Sequence, residues 1–305
     1  MSLHVFASFV TPFGTAANNR GETEGNTTTL QKILWHGSTH TTVSAEAIRF
    51  AIRRRFFDAD PESVNRYWKE AENANDWRKP DFDGWATEKG KTFVDDDLLG
   101  FMKATEANQE AEGSAFVRRA VLEVTRAVSL TPWPGDVTFN AASPGATPSA
   151  SRSSDRSKNP VPYGAEIHAT RYQYGIALTP KRLRDKSRAA EAINALCNLG
   201  TVAGNHGRFL FDFSPEAVFL RITDDPAPRM LYCFETKDDG KSVTADSLIK
   251  RINANDVDKS ELILGVSDLD SILAKQFAEV GVTAVGVKEA CARAVKRIND
   301  ELEKG

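Results

Sequence analysis

From Leu3 to Phe9 apolar residues alternate closely enough for a first strand. The period lengthens after residue 43: Ala45, Ile48, Ile52 and Phe56 fall on one stripe at about 100° per residue, which predicts a helix over 44–57. Residues 11–43 between them are polar and read as an unusually long loop, a length that in a compact domain more often serves function than not. A β-branched run from Ala115 to Leu130 (Val117, Val121, Val124, Thr125, Val128) predicts one long strand or a bent pair. Residues Ile167–Leu178 alternate as another strand, Pro180–Leu199 as a helix with Ala190, Ile193, Leu196 and Cys197 on its apolar face, and Phe209–Ile222 as a strand again. The order β, α, β, β, α, β predicts an α+β fold of the split βαβ type, ferredoxin-like or RRM-like. The tail adds a helix near 244–254, a strand at Leu262–Val266, a helix at 268–280 stopped by Gly281 and a last helix at 288–303. No internal repeat or coiled-coil heptad is present.

Two stretches interrupt this order. Residues 58–112 read as an insertion, acidic and partly helical, broken at Pro61 and Pro80, whose Trp68, Trp77 and Trp85 are expected to form a satellite core. Residues 134–164 hold Pro134, Gly135, Pro144, Gly145, Pro148, Pro160, Pro162 and Gly164 among serines, which predicts an exposed, mobile tip. With a strand leading out and a strand leading back, that tip makes a projecting hairpin.

The chain of 305 residues is 41% hydrophobic, with no apolar run near the length a bilayer requires. Met1–Phe9 lacks the cationic start and cleavage site of a signal peptide, so a cytoplasmic protein without a membrane partner is expected. Cys197, Cys233 and Cys291, odd in number and far apart, suggest small core residues in a reducing compartment and neither a disulfide framework nor a zinc site. Net charge is −3, yet it is unevenly spread: residues 152–188 carry nine Lys/Arg against three acids, and 58–112 fifteen acids against seven bases. Such a division lets one face meet a polyanion while another stays acidic.

Few residues offer catalytic chemistry. His36 and His40 are four apart, but Gly37 and the Ser/Thr surroundings place them on a loop without a third metal ligand, so no metal is expected. Asp95-Asp96-Asp97 reads as the first turn of a helix, because consecutive acids point in different directions. The stretch 204–208, around His206, lacks the Lys-Ser/Thr of a phosphate loop, and the chain has neither a Gly-x-Ser-x-Gly elbow nor a strand-borne Gly-x-Gly-x-x-Gly. The helix at 44 is more informative. Ser44 as its cap would leave free N–H groups and the positive dipole end for an anion, and Arg49 and Arg53 share a face at the edge of the apolar stripe, where they are expected to stay exposed.

Asn19-Arg20-Gly21, a stretch containing Gly37, and Val43-Ser44-Ala45-x-Ala47-x-Arg49-x-Ala51-x-Arg53 together resemble the N-terminal signature of the CRISPR-associated backbone subunit of type I Cascade complexes, within it the DevR-like branch linked with type I-B. The signature covers roughly the first 55 residues, and the element order to about 223 is compatible. The resemblance implies a hand-shaped subunit: an RRM-like palm (1–57, 113–133 and 167–305, with C-terminal additions), helical fingers (58–112) and a hairpin thumb (134–166). It implies that copies stack along a guide RNA and hold phosphates and sugars without reading sequence, while guide pairing selects target DNA. By position, Asn19 and Arg20 would meet backbone or sugar, Ser44 a phosphate, and Arg49 and Arg53 further phosphates. Gly21, Gly37, His40, Ala45, His206 and Arg208 would lie on the same RNA path, with Arg152, Arg156 and Lys158 on the thumb. Implied partners are neighbouring copies, a guide-end-capping subunit and a large subunit; no cofactor is implied. Two departures stand out: His40-Thr41-Thr42 precede the helix where relatives often carry an aromatic or a longer arginine series, and residues 11–43 contain Glu22 and Glu24 but no Asp, the group used by relatives that cleave RNA. The expectation is a non-catalytic RNA-binding subunit. The alternatives are a metal-dependent or histidine-based ribonuclease acting on guide precursors through His36, His40 or His206, and a protein-interaction domain.

Overall fold

The computed structural model describes residues 2–17, 23–72, 74–105, 114–141, 162–202, 210–238 and 240–304. Its principal sheet has nine strands, labelled in chain order β1 (His4–Val10), β2 (Lys32–Trp35), β3 (Ser38–Val43), β4 (Leu122–Val124), β5 (Ala127–Ser129), β6 (Tyr172–Leu178), β7 (Ala217–Thr223), β8 (Leu262–Val266) and β9 (Val285–Gly286). The helices are α1 (Ala45–Ala59), α2 (Val94–Leu99), α3 (Arg188–Cys197), α4 (Asp246–Asn253), α5 (Ile272–Glu279) and α6 (Val287–Lys304). No helix among the described residues is long and apolar enough to cross a membrane.

β1 lies at the centre, antiparallel to β6 (Val5 opposite Leu178) and to β7 (Val5 opposite Ile222). Its side chains alternate between two cores: Val5, Ala7 and Phe9 pack with α1, α3 and α6, whereas Phe6 and Val10 pack with α4 and α5. Burial on both faces is why its sequence is nearly continuous apolar rather than half polar. The run 115–130, expected as one strand or a bent pair, is three strands: Ser114–Arg118 pairs with Phe101–Thr105 outside the principal sheet, whereas β4 and β5 both pair with β6 and are separated by a bulge at Thr125, whose Oγ1 accepts from the Gly175 N–H at 2.8 Å. The inner order of the principal sheet is β7-β1-β6-β4/β5, within the mixed α+β architecture expected.

Several expectations need correction. Residues 11–43 are not an unstructured loop. They supply β2 and β3, joined at His36-Gly37 by a two-residue turn with φ of 47° and 80°, a geometry for which glycine is favoured. They also supply Gly14–Ala17, Thr23–Glu24 and Thr27–Thr28 to a second, five-stranded sheet with Val137–Asn140 and Tyr163–Thr170. The strand expected at Ile167–Leu178 is two, divided at Arg171, whose guanidinium is held by Glu216 (2.6 Å) and the Gly240 carbonyl (2.6 Å), so that one half joins each sheet. The helix expected at Pro180–Leu199 begins only at Arg188, after a short 3₁₀ turn, and the strand expected from Phe209 starts at Ala217. The segment 58–112 is not mainly helical: among the described residues its one α-helix is α2, and hairpin strands at Arg66–Lys69 and Ala74–Trp77 and a strand at Phe101–Thr105 make up much of the rest. Two of the three tryptophans do join a satellite cluster, with Phe82 stacked on Phe101 at 3.9 Å and Trp77 and Trp85 at 5.2 and 5.8 Å from one of these rings, whereas Trp68 lines a cleft with Phe50 and Phe57 of α1.

The cysteine expectation also fails in part. Cys197 at the end of α3 and Cys291 in α6 are buried, as expected, but they are joined by a disulfide; Cys233 is free and buried. Two residues 94 apart in the chain met unseen because α3 and α6 pack side by side on the same sheet face. Cys291→Ser is expected to lower the unfolding free energy by roughly 2–4 kcal/mol, by releasing a long loop in the unfolded chain. Urea unfolding with and without reductant checks this, the reduced parent matching the variant.

Candidate nucleic-acid interface

Ser44 caps α1 as predicted: its Oγ accepts from the Ala47 N–H at 3.1 Å, with Ala45 opening the helix. Glu46, exposed in the first turn, places a carboxylate at the same end. Arg126, half-buried, lies nearby and donates to Thr42 Oγ1 and Gln31 Oε1, both at 3.1 Å, so its charge has neutral partners.

Arg49 and Arg53 do share a face of α1, but α2 lies across it. Arg53 Nε is 3.2 Å from Asp95 Oδ2, with the arginine side chain 16% exposed and the carboxylate 1%, so the expectation that both guanidiniums stay open fails for Arg53. A carboxylate that deeply buried requires a cation, and the nearest turn of α1 supplies it. Arg49, one turn earlier, lies toward the other end of α2. There it lines an open groove of about 510 Å³ with Leu99, Gly100, Arg118, Arg119 and Glu123, and its Nε is buried without a hydrogen-bond partner. Gly100 ends α2 with φ 72°, and a Cβ there would sit 2.4 Å from the Arg118 carbonyl, so glycine is what lets Arg118 approach.

The three acids of α2 diverge, as their consecutive positions predicted. Asp95 accepts the N–H groups of Asn65 (2.8 Å) and Arg66 (3.0 Å) besides Arg53. Asp96 accepts from Asn65 Nδ2 at 2.9 Å. Asp97, 0% exposed, takes Arg118 Nη2, Arg188 Nη1 at 2.8 Å and the N–H groups of Arg184 (3.0 Å) and Asp185 (3.1 Å). Burial, then the neighbouring Asp95 charge, pushes Asp96 up to about 7.

The remaining predicted residues divide. Gly37 and His36 sit at the β2–β3 turn. His40 faces inward, 6% exposed, donating from Nδ1 to the Ser129 carbonyl at 2.7 Å, which leaves it no open surface for RNA or for acid–base work. Nearby His168 is held by Thr41 Oγ1 at 2.7 Å, and burial, then His40, pushes it down to about 4. Asn19, Arg20, Gly21, His206, Arg208, Arg152, Arg156 and Lys158 lie outside the described residues. Sequence reasoning missed Arg118, Arg119 and Arg126, because the 115–130 run was read for its β-branched residues alone; the Arg118-Arg119 pair in it was the available signal.

Between about pH 4 and pH 7 the unfolded chain ionises Asp96 while the folded chain keeps its proton, so this group takes stability away as pH rises and its full penalty stands above 7. Asp96→Asn is therefore expected to gain over the parent at pH 8, by at most about 4 kcal/mol, with the gain vanishing toward pH 4. Urea unfolding of both proteins across that range checks the sign.

Three comparisons bear on this arrangement. The family described as CRISPR-associated negative auto-regulator DevR/Csa2 matches residues 9–229. A CRISPR-associated protein Cas7/Cst2/DevR of Myxococcus xanthus (strain DK1622) is 57% identical over 302 residues, covering 98% of each chain. Among solved structures, a chain of a CRISPR RNA-guided surveillance complex, pre-nicking, has a TM-score of 0.59 at 13% identity, covering 95% of this chain and 99% of that one. A chain of another CRISPR RNA-guided surveillance complex has a TM-score of 0.53 at 14% identity, covering 96% and 100%. The first two matches span α1, α2 and every residue of the arginine groove, and on them this chain belongs to the CRISPR-associated DevR/Csa2 family.

Proposed function

We propose that this protein is a non-catalytic backbone subunit of a cytoplasmic CRISPR surveillance complex, several copies lining up along one guide RNA and gripping its phosphates. The observation that carries the reading is the open groove beside α1, where Arg49, Arg118 and Arg119 face, among the described residues, a single lining acid, Glu123. The exposed Arg119–Glu123 pair at 3.1 Å contributes little and yields to a phosphate. Guanidiniums set in a groove recognise phosphate through paired N–H donors without regard to base, which suits a subunit that must accept any guide. Guide pairing would then supply the choice of target DNA.

The central sheet with α1 and α3 serves as the RRM-like palm, the α2 segment with its hairpins as fingers, and the Val137–Asn140/Tyr163–Thr170 ladder as the base of the thumb. Val137 and Phe139, exposed on the outgoing strand of that ladder, suit the surface of a neighbouring copy. The capping and large subunits would bind the ends and flank of such an array. Inward-facing His40, bonded to the Ser129 carbonyl, supports a binding role over RNA cleavage through that histidine.

Each phosphate neutralised on a single strand contributes about −0.7 to the slope of log affinity against log salt. Arg49→Ala and Arg119→Ala are each expected to reduce that slope by roughly this amount on guide-length RNAs of unrelated sequence. Arg53→Ala is expected to leave the slope unchanged and to lower stability instead, since it strips the cation from buried Asp95. Fluorescence anisotropy across a salt series reads both, and equal slopes in all four proteins would remove the groove from the binding surface.

A further inference from the structure

The groove beside Arg49 continues into a second open depression of about 430 Å³, sharing Phe101, Arg118, Arg119 and Ala120 with it and adding Phe116, Val117 and Arg182. Phe116 is 49% exposed. Its ring meets Phe101 only edge-on, at 5.3 Å and 63° between planes, and Phe101 is itself anchored in the satellite cluster by Phe82. Phe116 therefore stands on a rigid aromatic base without being buried by it. Around it the cations outnumber the acids: Arg119 and Arg182 are exposed and Arg118 half-buried, and no acid among the described residues lines this second depression. Arg118 already lies over the Trp85 ring at 4.2 Å, so the pairing of guanidinium with aromatic face recurs within the same wall.

Resting on the reading of the groove as an RNA site, we infer that Phe116 is a stacking platform for one unpaired base of the strand whose phosphates run past Arg49 and Arg119. A cationic track with an aromatic ring beside it is the arrangement by which proteins hold single strands without choosing sequence, since every base offers a π-face. A protein–protein patch of this size would instead keep charge at its rim and a charge-poor centre. Here the guanidiniums line the same depression as the exposed ring.

The test uses the full chain and guide-length RNAs carrying 2-aminopurine at one position at a time, read at saturating protein. At one register the parent is expected to quench the probe, and Phe116→Tyr to quench it equally. Phe116→Leu is expected to lose the quenching and to bind about tenfold more weakly, with its salt slope intact. Arg49→Ala at saturation is expected to keep the quenching, because the phosphate grip and the stack are separate contacts. Quenching that is absent at every position, or that persists in Phe116→Leu, overturns the stacking assignment while RNA binding itself still stands. If Phe116→Leu instead changes the sedimentation of the RNA-free protein and leaves RNA binding alone, the ring belongs to an interface between copies and the inference fails. Loss of all RNA binding by the parent would overturn the groove reading along with it.

Discussion

The buried carboxylates of α2 are the constraint on which the rest of the site depends. Asp95, Asp96 and Asp97 are 1%, 2% and 0% exposed, and a six-residue helix carrying three such groups could not stand alone. Between them the acids draw in three parts of the chain: Asp95 takes α1 and the 65–66 hairpin entry, Asp96 takes the side chain of the same Asn65, and Asp97 takes residues 184–188 with Arg118. The inserted segment is thereby fastened to the central sheet by charge-assisted hydrogen bonds at its root. Its aromatic cluster then needs only to be locally consistent. This also explains why the pieces that form the groove, drawn from residues 49, 99–101 and 118–124, hold a common position although they come from three separate stretches.

Two titratable groups of this fold oppose one another. His168, held neutral by burial, adds stability as pH rises from about 4 to its ordinary value of 6.5, because the unfolded chain binds the proton that the folded chain refuses. Asp96 removes stability over nearly the same interval. The parent protein should therefore show a flatter pH dependence through mild acid than either group alone would impose, and the flatness would conceal two sizeable buried contributions.

Much of the fold was legible because its strands and helices are long enough to show a period. β1, α1, β8 and α6 fell where alternation or the 100° stripe placed them, and Ser44 was identifiable as a cap from its own chemistry. Residues 11–43 were not legible: Thr23–Glu24 and Thr27–Thr28 are two-residue strands of polar side chains, held by register against 163–170 and by Glu166, which bonds the Leu30 N–H and Lys32 from across the sheet. Such pairing leaves no trace in local periodicity. Arg53 misled for the same reason. Its position on the helical wheel is a surface position, and only a carboxylate 42 residues away makes it an interior one. The acids of α2 showed their helix start but not their burial, since a solvated first turn and a buried one share a sequence.

The same pairing of charge separates the arginines that hold the fold together from those on the groove wall. Asp97 faces two guanidiniums, those of Arg118 and Arg188. Of the two, Arg118 reaches the groove wall. Arg53 and Arg171 are each matched by a carboxylate and hold the structure together. Arg49, Arg118, the weakly paired Arg119 and, beyond it, Arg182 line one continuous pair of depressions. A chain of net charge −3 can hold these arginines together because three of its acids, Asp95, Asp96 and Asp97, are buried in fastening the wall from which they project.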